Sequence, residues 1–244
     1  PLRIVSVGPD LTEMLYALGL GNCIVGVDSY SDYPPAARQK PHVGGAVDLS
    51  DEAVIAARPS LIVSVEGDRA HLDRLGRLTG ARVAVLETHH VRDIWANLKE
   101  LGALTGAHAR AETLTHTLET QLAAHTAHGT RHPSVFYMVW DKPLMTAGGD
   151  SYLDDLIALA GGRNIAHGAK GAYPPYSWEA VLAADPDVIL GPRTLAASLD
   201  ALKQRYPFLR AVRSGHVRTL PDDLISRPGP RVVQALEAVE AALR

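Results

Sequence analysis

The stretch EAVIAARP at residues 52–59 recurs as EAVLAADP at residues 179–186, with six of the eight positions identical. Each copy runs directly into an apolar segment, LIV at residues 61–63 and VIL at residues 188–190. A short helix that ends at a proline and precedes a strand is common in α/β proteins, so one copy alone would decide little. Two copies indicate that a similar structural unit occurs twice along the chain.

A second, shorter echo supports this conclusion. LYAL at residues 15–18 recurs as LIAL at residues 156–159, and each copy precedes the longer repeat of its own half. Short β-branched runs alternate with helical patterns, which is typical of parallel sheets built from strand-helix-strand units. The candidate strands are residues 4–7, 24–27, 61–65 and 83–86, followed by residues 134–139, 164–166, 188–190 and 217–220.

Between the two sets of strands lies a segment without glycine or proline, residues 109–127, with leucines at positions 114, 118 and 122. This spacing predicts one helix of roughly 30 Å, long enough to act as a stiff connection. We therefore predict an α/β fold in which two Rossmann-like lobes with parallel sheets, residues 1–107 and 132–244, are joined by one long backbone helix within residues 108–131. An ordinary connecting helix in a single continuous sheet is the alternative.

Composition narrows the possible partners. Of the 244 residues, 46% are hydrophobic and 21% are charged, which is the balance of a globular protein. A net charge of −3 without a basic tract argues against nucleic acid and against anionic membranes. The single cysteine, Cys23, can form neither an internal disulfide nor a thiolate metal cluster, and we interpret it as a small core residue of a strand.

Signatures of chemistry and of nucleotide binding are missing. Asp10 follows Gly8-Pro9 after the first strand, and we expect it to cap a helix with Glu13 completing a capping box. Neither a dinucleotide fingerprint, a phosphate-binding loop nor a common hydrolase motif occurs. We predict that the protein is not an enzyme, has no catalytic residues and carries no resident cofactor.

The eleven histidines do not form a spacing typical of zinc sites. Four of them are expected on or just after the polar side of the linking helix, in solvent, and four more are expected in loops. The first four are His116, His125, His128 and His132, and the others are His42, His89, His90 and His167. We predict no metal ligand among them.

The thirteen aromatic residues are more informative, because several of them cluster beside prolines. One cluster is residues 30–35, after the second strand, and the other is residues 172–178, before the second repeat. Rings on such stiff loops supply apolar area at low entropic cost, which suits a large planar ligand. The alternative is that these tyrosines only cover the edge of a sheet.

These segments together carry a resemblance. Residues 4–7 with Thr12-Glu13, residues 26–35 and the first repeat resemble the helical-backbone class (class III) of periplasmic binding proteins, which serve ABC importers of cobalamin, haem and iron-siderophores. Residues 29–35, residues 173–179 and residues 223–231 look most like the cobalamin-binding member of that class. The similarity covers nearly the whole chain.

The resemblance implies a monomeric, secreted mature protein whose signal peptide has been removed. It would lie in the periplasm or at the outer face of the cell membrane, capture cobalamin or a related corrinoid in an inter-lobe cleft, and deliver it to an ABC importer permease dimer. Haem and iron-siderophores are alternative ligands. A tetrapyrrole chelatase would need a facing histidine and acid pair, and a metal-ion binding protein would need several converging ligands, so both are weaker alternatives.

The resemblance also assigns residues. Tyr30 and Tyr173 become wall residues of the cleft, and Asp223 and Arg227 become polar contacts at the opposite rim. Trp140 follows Val139, where the family places an aromatic at the end of a strand.

Two tryptophans of the cobalamin protein are replaced, one by small residues around Gly45-Ala46 and one by Val65, which leaves the ligand class open. At the matching positions of the repeat, Glu52 and Glu179 would dock onto the transporter. The alternative for both is a favourable interaction with a helix dipole.

Overall fold

The computed structural model describes residues 1–244 except residue 46, residue 68 and residues 126–131. The chain forms two compact units. Unit one comprises Pro1–Thr88 and Arg92–Thr117, and unit two comprises His89–Val91 and Leu118–Arg244. The boundary falls within a helix, His108–Ala124.

Unit one is built around a four-stranded parallel sheet of order β2-β1-β3-β4. Valines and isoleucines of the strands pack against Val54 and Leu75 of the flanking helices. The strands are β1 (Ile4–Val7), β2 (Ile24–Val27), β3 (Leu61–Ser64) and β4 (Arg82–Val85), and the helices are α1 (Pro9–Ala17), α2 (Asp51–Ala57), α3 (Arg69–Thr79) and α4 (Val91–Thr105). Helix α5 (His108–Ala124) contains the boundary between the units.

Unit two contains a five-stranded sheet of order β6-β5-β8-β9, with β7 also paired to β5. Its core includes Phe136, Val181, Ile189 and Leu199. The strands are β5 (Ser134–Asp141), β6 (Leu144–Thr146), β7 (Arg163–Asn164), β8 (Val188–Pro192) and β9 (Val217–Leu220), and the helices are α6 (Tyr152–Leu159), α7 (Trp178–Ala184), α8 (Ala196–Arg205), α9 (Arg210–Arg213), α10 (Asp222–Ile225) and α11 (Val232–Leu243).

The sequence repeat corresponds to a structural repeat. Helix α2 is capped by Ser50 and α7 by Ser177, each accepting a hydrogen bond from the backbone N–H three residues on. Both helices end at a residue in the left-handed conformation, Arg58 at φ 47° and Asp185 at φ 41°. The third residue of each repeat is the buried valine of its helix. The recurrence in the sequence therefore marks two equivalent helix-to-strand connections.

The α/β fold with parallel sheets is confirmed, with one strand that the sequence pattern missed. Strand β6 pairs antiparallel with β5, so the second sheet is mixed rather than parallel. It has three residues and lies directly after a short turn. Three residues are too few to show the alternation of apolar and polar side chains that identifies a strand in a sequence. Helix α5 has 17 residues and is about 26 Å long. The end of the predicted segment, with His128, falls outside the described residues.

The prediction that Asp10 caps the first helix is wrong. Helix α1 begins at Pro9, Gly8 occupies the N-cap position, and no side chain caps it. Gly8 has φ 154°, and a Cβ there would collide with Val65, so the position requires glycine and cannot supply a capping side chain. Asp10 is instead 5% exposed, and burial raises its pKa to about 7.

Two smaller expectations also fail. Cys23 is half-buried in a turn of 3₁₀ helix before β2 rather than in a strand. His125, expected in solvent, is half-buried beside α11, where Nδ1 lies 3.2 Å from a carboxylate oxygen of Glu240. His116, on the same helix, is exposed as predicted.

Asp187, the residue before β8, bonds to Ser134 at the start of β5 and to Arg210 of α9, and its titration should be visible in acid stability. It accepts hydrogen bonds from Ser134 N and Oγ, both at 2.8 Å, and from Arg210 Nη1 at 2.9 Å. The Ser134 backbone N–H and the Arg210 guanidinium lower its pKa to about 2.

Because this pKa is lower in the folded state, the stabilisation is complete above the unfolded pKa of about 4 and is lost as pH falls through about 2. We expect Asp187→Asn to lower the free energy of unfolding at pH 6 by about 1 to 2 kcal/mol and to flatten its decline below pH 4. Urea unfolding from pH 6 to pH 2.5 measures both effects, with exposed Asp200→Asn as the control. Parallel profiles for wild type and Asp187→Asn would contradict the assignment.

Candidate functional site

The carboxyl-terminal ends of parallel strands are where open α/β sheets bind ligands. In unit two this edge contains a pocket of about 360 Å³. Its polar lining is Tyr137, Tyr173, Thr194, Asp222 and Ser226, and its apolar lining is Val139, Leu153, Pro192 and Ile225. The size and the mixture of aromatic and hydroxyl groups fit part of a large ligand rather than an ion.

Tyr173 is held at this pocket by the backbone on both sides of it. Thr146 N donates to the carbonyl of Pro174 at 3.1 Å, and Gly148 N donates to the carbonyl of Ala172 at 2.9 Å. The tyrosine loop is thus fixed to the end of β6, while Tyr173 as a whole residue is 45% exposed. Tyr173 therefore presents a pre-positioned aromatic surface at the pocket.

Tyr137 lies beneath that surface at the end of the buried part of β5, with 3% of its area exposed. Burial raises its pKa, and the nearby Asp222 carboxylate raises it further. Its hydroxyl therefore stays protonated across the physiological range and is able to donate a hydrogen bond. The sequence pattern assigned Tyr137 only to a strand, and its position near the end of that strand was the one available signal.

The predicted rim residues lie just beyond the pocket. Asp223 Oδ2 accepts a hydrogen bond from Arg231 Nη1 at 2.9 Å, and this arginine, with Arg227 beyond it, lowers the pKa of Asp223. Arg227 is half-buried. The carboxylate that lines the pocket is that of the preceding residue, Asp222, which sequence reasoning missed.

Trp140 is also outside this pocket. Its ring is 52% exposed, and its Nε1–H donates to the carbonyl of Lys142 at 3.1 Å. Val139 lines the pocket instead, because neighbouring residues of a strand face opposite sides of the sheet.

The corresponding edge of unit one carries Tyr30, which is 69% exposed. Asp28 positions its loop: Oδ1 accepts from Tyr30 N at 2.7 Å, and Oδ2 accepts from Gly8 N at 3.0 Å. A Cβ added to Gly45 would lie 3.6 Å from the Tyr30 ring, so the ring lies beside the predicted small-residue position. Val65 follows β3 and is half-buried. Ala46 is outside the described residues.

Glu52 and Glu179 occupy the same place in the two repeats. Each is the second residue of its helix, after the serine cap, and each is exposed. Within the part of the chain that the structure describes, neither forms an ion pair. The two carboxylates are therefore open to a partner.

Two classes of site receive no support from the described residues. They contain no group of three or more His, Cys, Asp and Glu side chains able to hold a metal ion. No helix among them combines the length and the apolarity needed to cross a membrane.

The sequence matches the family model described as "Periplasmic binding protein" over residues 4–224. The chain belongs to this family. The family serves ABC transporters, and its members bind and deliver substrates rather than convert them, which confirms the predicted resemblance and the prediction that the protein is not an enzyme.

Three similar proteins differ in the ligand, if any, that their names give. A vitamin B12-binding protein of Vibrio parahaemolyticus serotype O3:K6 is 28% identical over 238 residues, covering 96% of this chain and 86% of that protein. An uncharacterised ABC transporter substrate-binding lipoprotein of Bacillus subtilis is 26% identical over 258 residues, covering 100% of this chain and 80% of its own length. A periplasmic heme-binding protein of Roseiflexus sp. RS-1 in apo form matches with a TM-score of 0.88 and 29% identity, covering 100% of this chain and 99% of that one.

Proposed function

We propose that this protein binds cobalamin or a related corrinoid and delivers it to the permease dimer of an ABC importer. The observation that carries the proposal is the pocket at the strand ends of unit two, where Tyr173 is fixed by two backbone hydrogen bonds and is still 45% exposed. An exposed ring on a rigid loop is suited to packing against a broad, largely apolar macrocycle. The vitamin B12-binding relative from Vibrio supports the same ligand class.

Tyr30 in unit one and Tyr173 in unit two would each supply an aromatic ring to the ligand. Val65, Asp223 and Arg227 would add further contacts, as the resemblance implies, whereas Val139 would take the place at the pocket that the resemblance gives to Trp140. Of these, Asp223 is already engaged by Arg231, so its role is to fix the segment around the pocket as well as to meet the ligand.

The place of action follows from the family and from the lipoprotein relative. We propose that the protein acts outside the cytoplasmic membrane, as a monomer. It would reach its permease by surface contact, through Glu52 and Glu179.

Haem is the alternative ligand, and two observations favour it. The heme-binding protein of Roseiflexus matches this chain with a TM-score of 0.88. In addition, Tyr173 lines the pocket, and a tyrosine can serve as an axial ligand of haem iron.

Two substitutions at Tyr173 separate these ligands. If the ring acts by packing, Tyr173→Phe should leave the Kd for cobalamin within about threefold, whereas Tyr173→Ala should raise it about 10- to 100-fold. If the hydroxyl coordinates haem iron, Tyr173→Phe should instead abolish the ligation band of bound haemin. Absorbance titrations with cobalamin and with haemin measure both outcomes.

The control is Phe208→Ala, which removes another exposed aromatic ring of unit two. It should change neither titration. A wild-type protein that binds neither cobalamin nor haemin would refute the proposed ligand classes. Equal affinity of wild type and Tyr173→Ala for cobalamin would show that the ligand lies elsewhere.

A further inference from the structure

Asp222 is the acid that lines the pocket of unit two, and its position is fixed by Thr194. Its Oδ1 accepts hydrogen bonds from Thr194 Oγ1 at 2.5 Å and from Thr194 N at 3.2 Å. Two bonds to the same oxygen hold the carboxylate in one orientation. Both residues line the pocket, so the geometry is built before any ligand enters.

The second oxygen of this carboxylate is available. Within the described parts of the chain, no side-chain or backbone donor bonds to Asp222 Oδ2, and no Lys, Arg or His nitrogen lies within 4.0 Å of the carboxylate. The adjacent acid, Asp223, forms an ion pair with Arg231. Among the described residues, Asp222 therefore has one carboxylate oxygen held by Thr194 and a second oxygen without a counterion.

None of the other described lining residues is charged, and Arg227, a proposed ligand contact, lies just beyond the pocket. Its other polar lining residues are Tyr137, Tyr173, Thr194 and Ser226, each of which carries a hydroxyl group, and none of the nine described lining residues is basic. A ligand group that reaches the floor of the pocket thus meets one negative charge and several hydroxyls.

We propose that Asp222 is a specificity-determining residue, which accepts hydrogen bonds from neutral amide groups at the edge of a macrocycle and disfavours macrocycles whose edge carries ionised carboxylates. The inference rests on the proposed function. It distinguishes the two ligand classes considered there, corrinoids and haem. The periphery of a corrinoid carries carboxamide side chains, whose N–H groups can donate to Oδ2. Haem carries two carboxylates, which an unpaired acid in a partly desolvated pocket repels.

The test compares three ligands that differ in the charge of their edge: cobalamin, haemin and haemin dimethyl ester. The ester keeps the macrocycle and the iron of haemin but lacks the ionised carboxylates. We expect wild type to bind the ester at least about tenfold more tightly than haemin, and Asp222→Asn to reduce this preference to about twofold or less. Asparagine keeps an Oδ1 acceptor for Thr194, so the substitution removes the charge and retains the fixed geometry.

Asp222→Asn should also weaken cobalamin binding, by about three- to tenfold, because a charged acceptor becomes a neutral one. Asp200→Asn is the control for net charge, since Asp200 is exposed on α8 of the same unit. It should leave the ratio of haemin to ester affinity unchanged. Equal thermal unfolding midpoints of the variants establish that the fold is retained.

The outcomes separate the two proposals. If wild type binds haemin as tightly as its ester, or if Asp222→Asn leaves their ratio unchanged, the role of Asp222 is refuted while the proposed binding function stands. If wild type binds none of the three ligands, the proposed function fails, and the inference about Asp222 fails with it.

Discussion

Transport should fall to the unstimulated level when Glu52 and Glu179 are both replaced by alanine, while the affinity for ligand stays unchanged. The measurement is uptake of labelled ligand into vesicles that contain the cognate importer. The expected loss of stimulated transport is at least about tenfold, because charge pairs at an interface act on both encounter and dissociation. Each single substitution should leave an intermediate rate.

The structural repeat is the reason for this expectation. Both glutamates follow a serine cap at the start of a short helix, both are exposed, and both precede a left-handed turn into a parallel strand. The repeat thus places one exposed glutamate at the same position in each unit. A permease dimer has two equivalent surfaces, and a basic side chain on each could pair with one of the glutamates. If the glutamates only interacted with the helix dipole, each would stabilise its helix by about 0.3 to 1 kcal/mol and would have no effect on transport.

A matched control separates docking from general charge effects. Glu100 of unit one and Asp200 of unit two are exposed acids outside the repeats, and replacing both with alanine changes the net charge equally. That control should transport at the wild-type rate. If the Glu52→Ala, Glu179→Ala double variant transports at the wild-type rate, the glutamates do not dock the protein and only stabilise their helices through the helix dipole.

The parts of the fold that the sequence predicted are those with a local signal. The repeat predicted the two helix-to-strand connections because a helical segment, a proline and an apolar run follow one another at the same offsets in each copy. The structure adds that a serine caps each helix and that the shared valine is buried. Strand β6 has no such signal. It has only three residues, and a short turn brings them back alongside β5, with which they pair. Asp10 was misassigned for a related reason: an acid near a helix start resembles a cap, and only the backbone at Gly8 shows that the cap position is already taken.

The candidate site was predicted in part. Tyr173 stands out in the sequence because prolines surround it, and the structure places it at a pocket. Tyr137 and Asp222 reach the same pocket only through the pairing of β5 with β8 and the approach of Thr194, which are contacts between distant parts of the chain. For Asp222 the resemblance pointed one residue away, to Asp223, which pairs with Arg231.

Asp10 should make the protein less stable as pH rises through neutrality, and Asp10→Asn should remove this effect. Burial raises the pKa of Asp10 to about 7, with smaller contributions from the carboxylates of Glu13 and Asp28, while the N–H groups of Leu11 and Asp10 itself oppose the rise. An acid whose pKa is raised on folding holds its proton more tightly in the folded state. Folding is therefore favoured at low pH, and this advantage is lost between the unfolded pKa of about 4 and the folded pKa of about 7.

The expected size follows from the difference between the two pKa values. A shift of this order corresponds to about 2 to 4 kcal/mol, so Asp10→Asn should be within about 1 kcal/mol of wild type at pH 4.5 and exceed it by about 2 to 4 kcal/mol at pH 8. Urea unfolding at pH 4.5, 6, 7 and 8 measures the difference, and Asp73→Asn, which removes an exposed acid of the same unit, should show no such trend. A difference between Asp10→Asn and wild type that stays constant across this range would mean that Asp10 is ionised throughout. In that case the N–H groups at the start of α1, rather than burial, would control its charge.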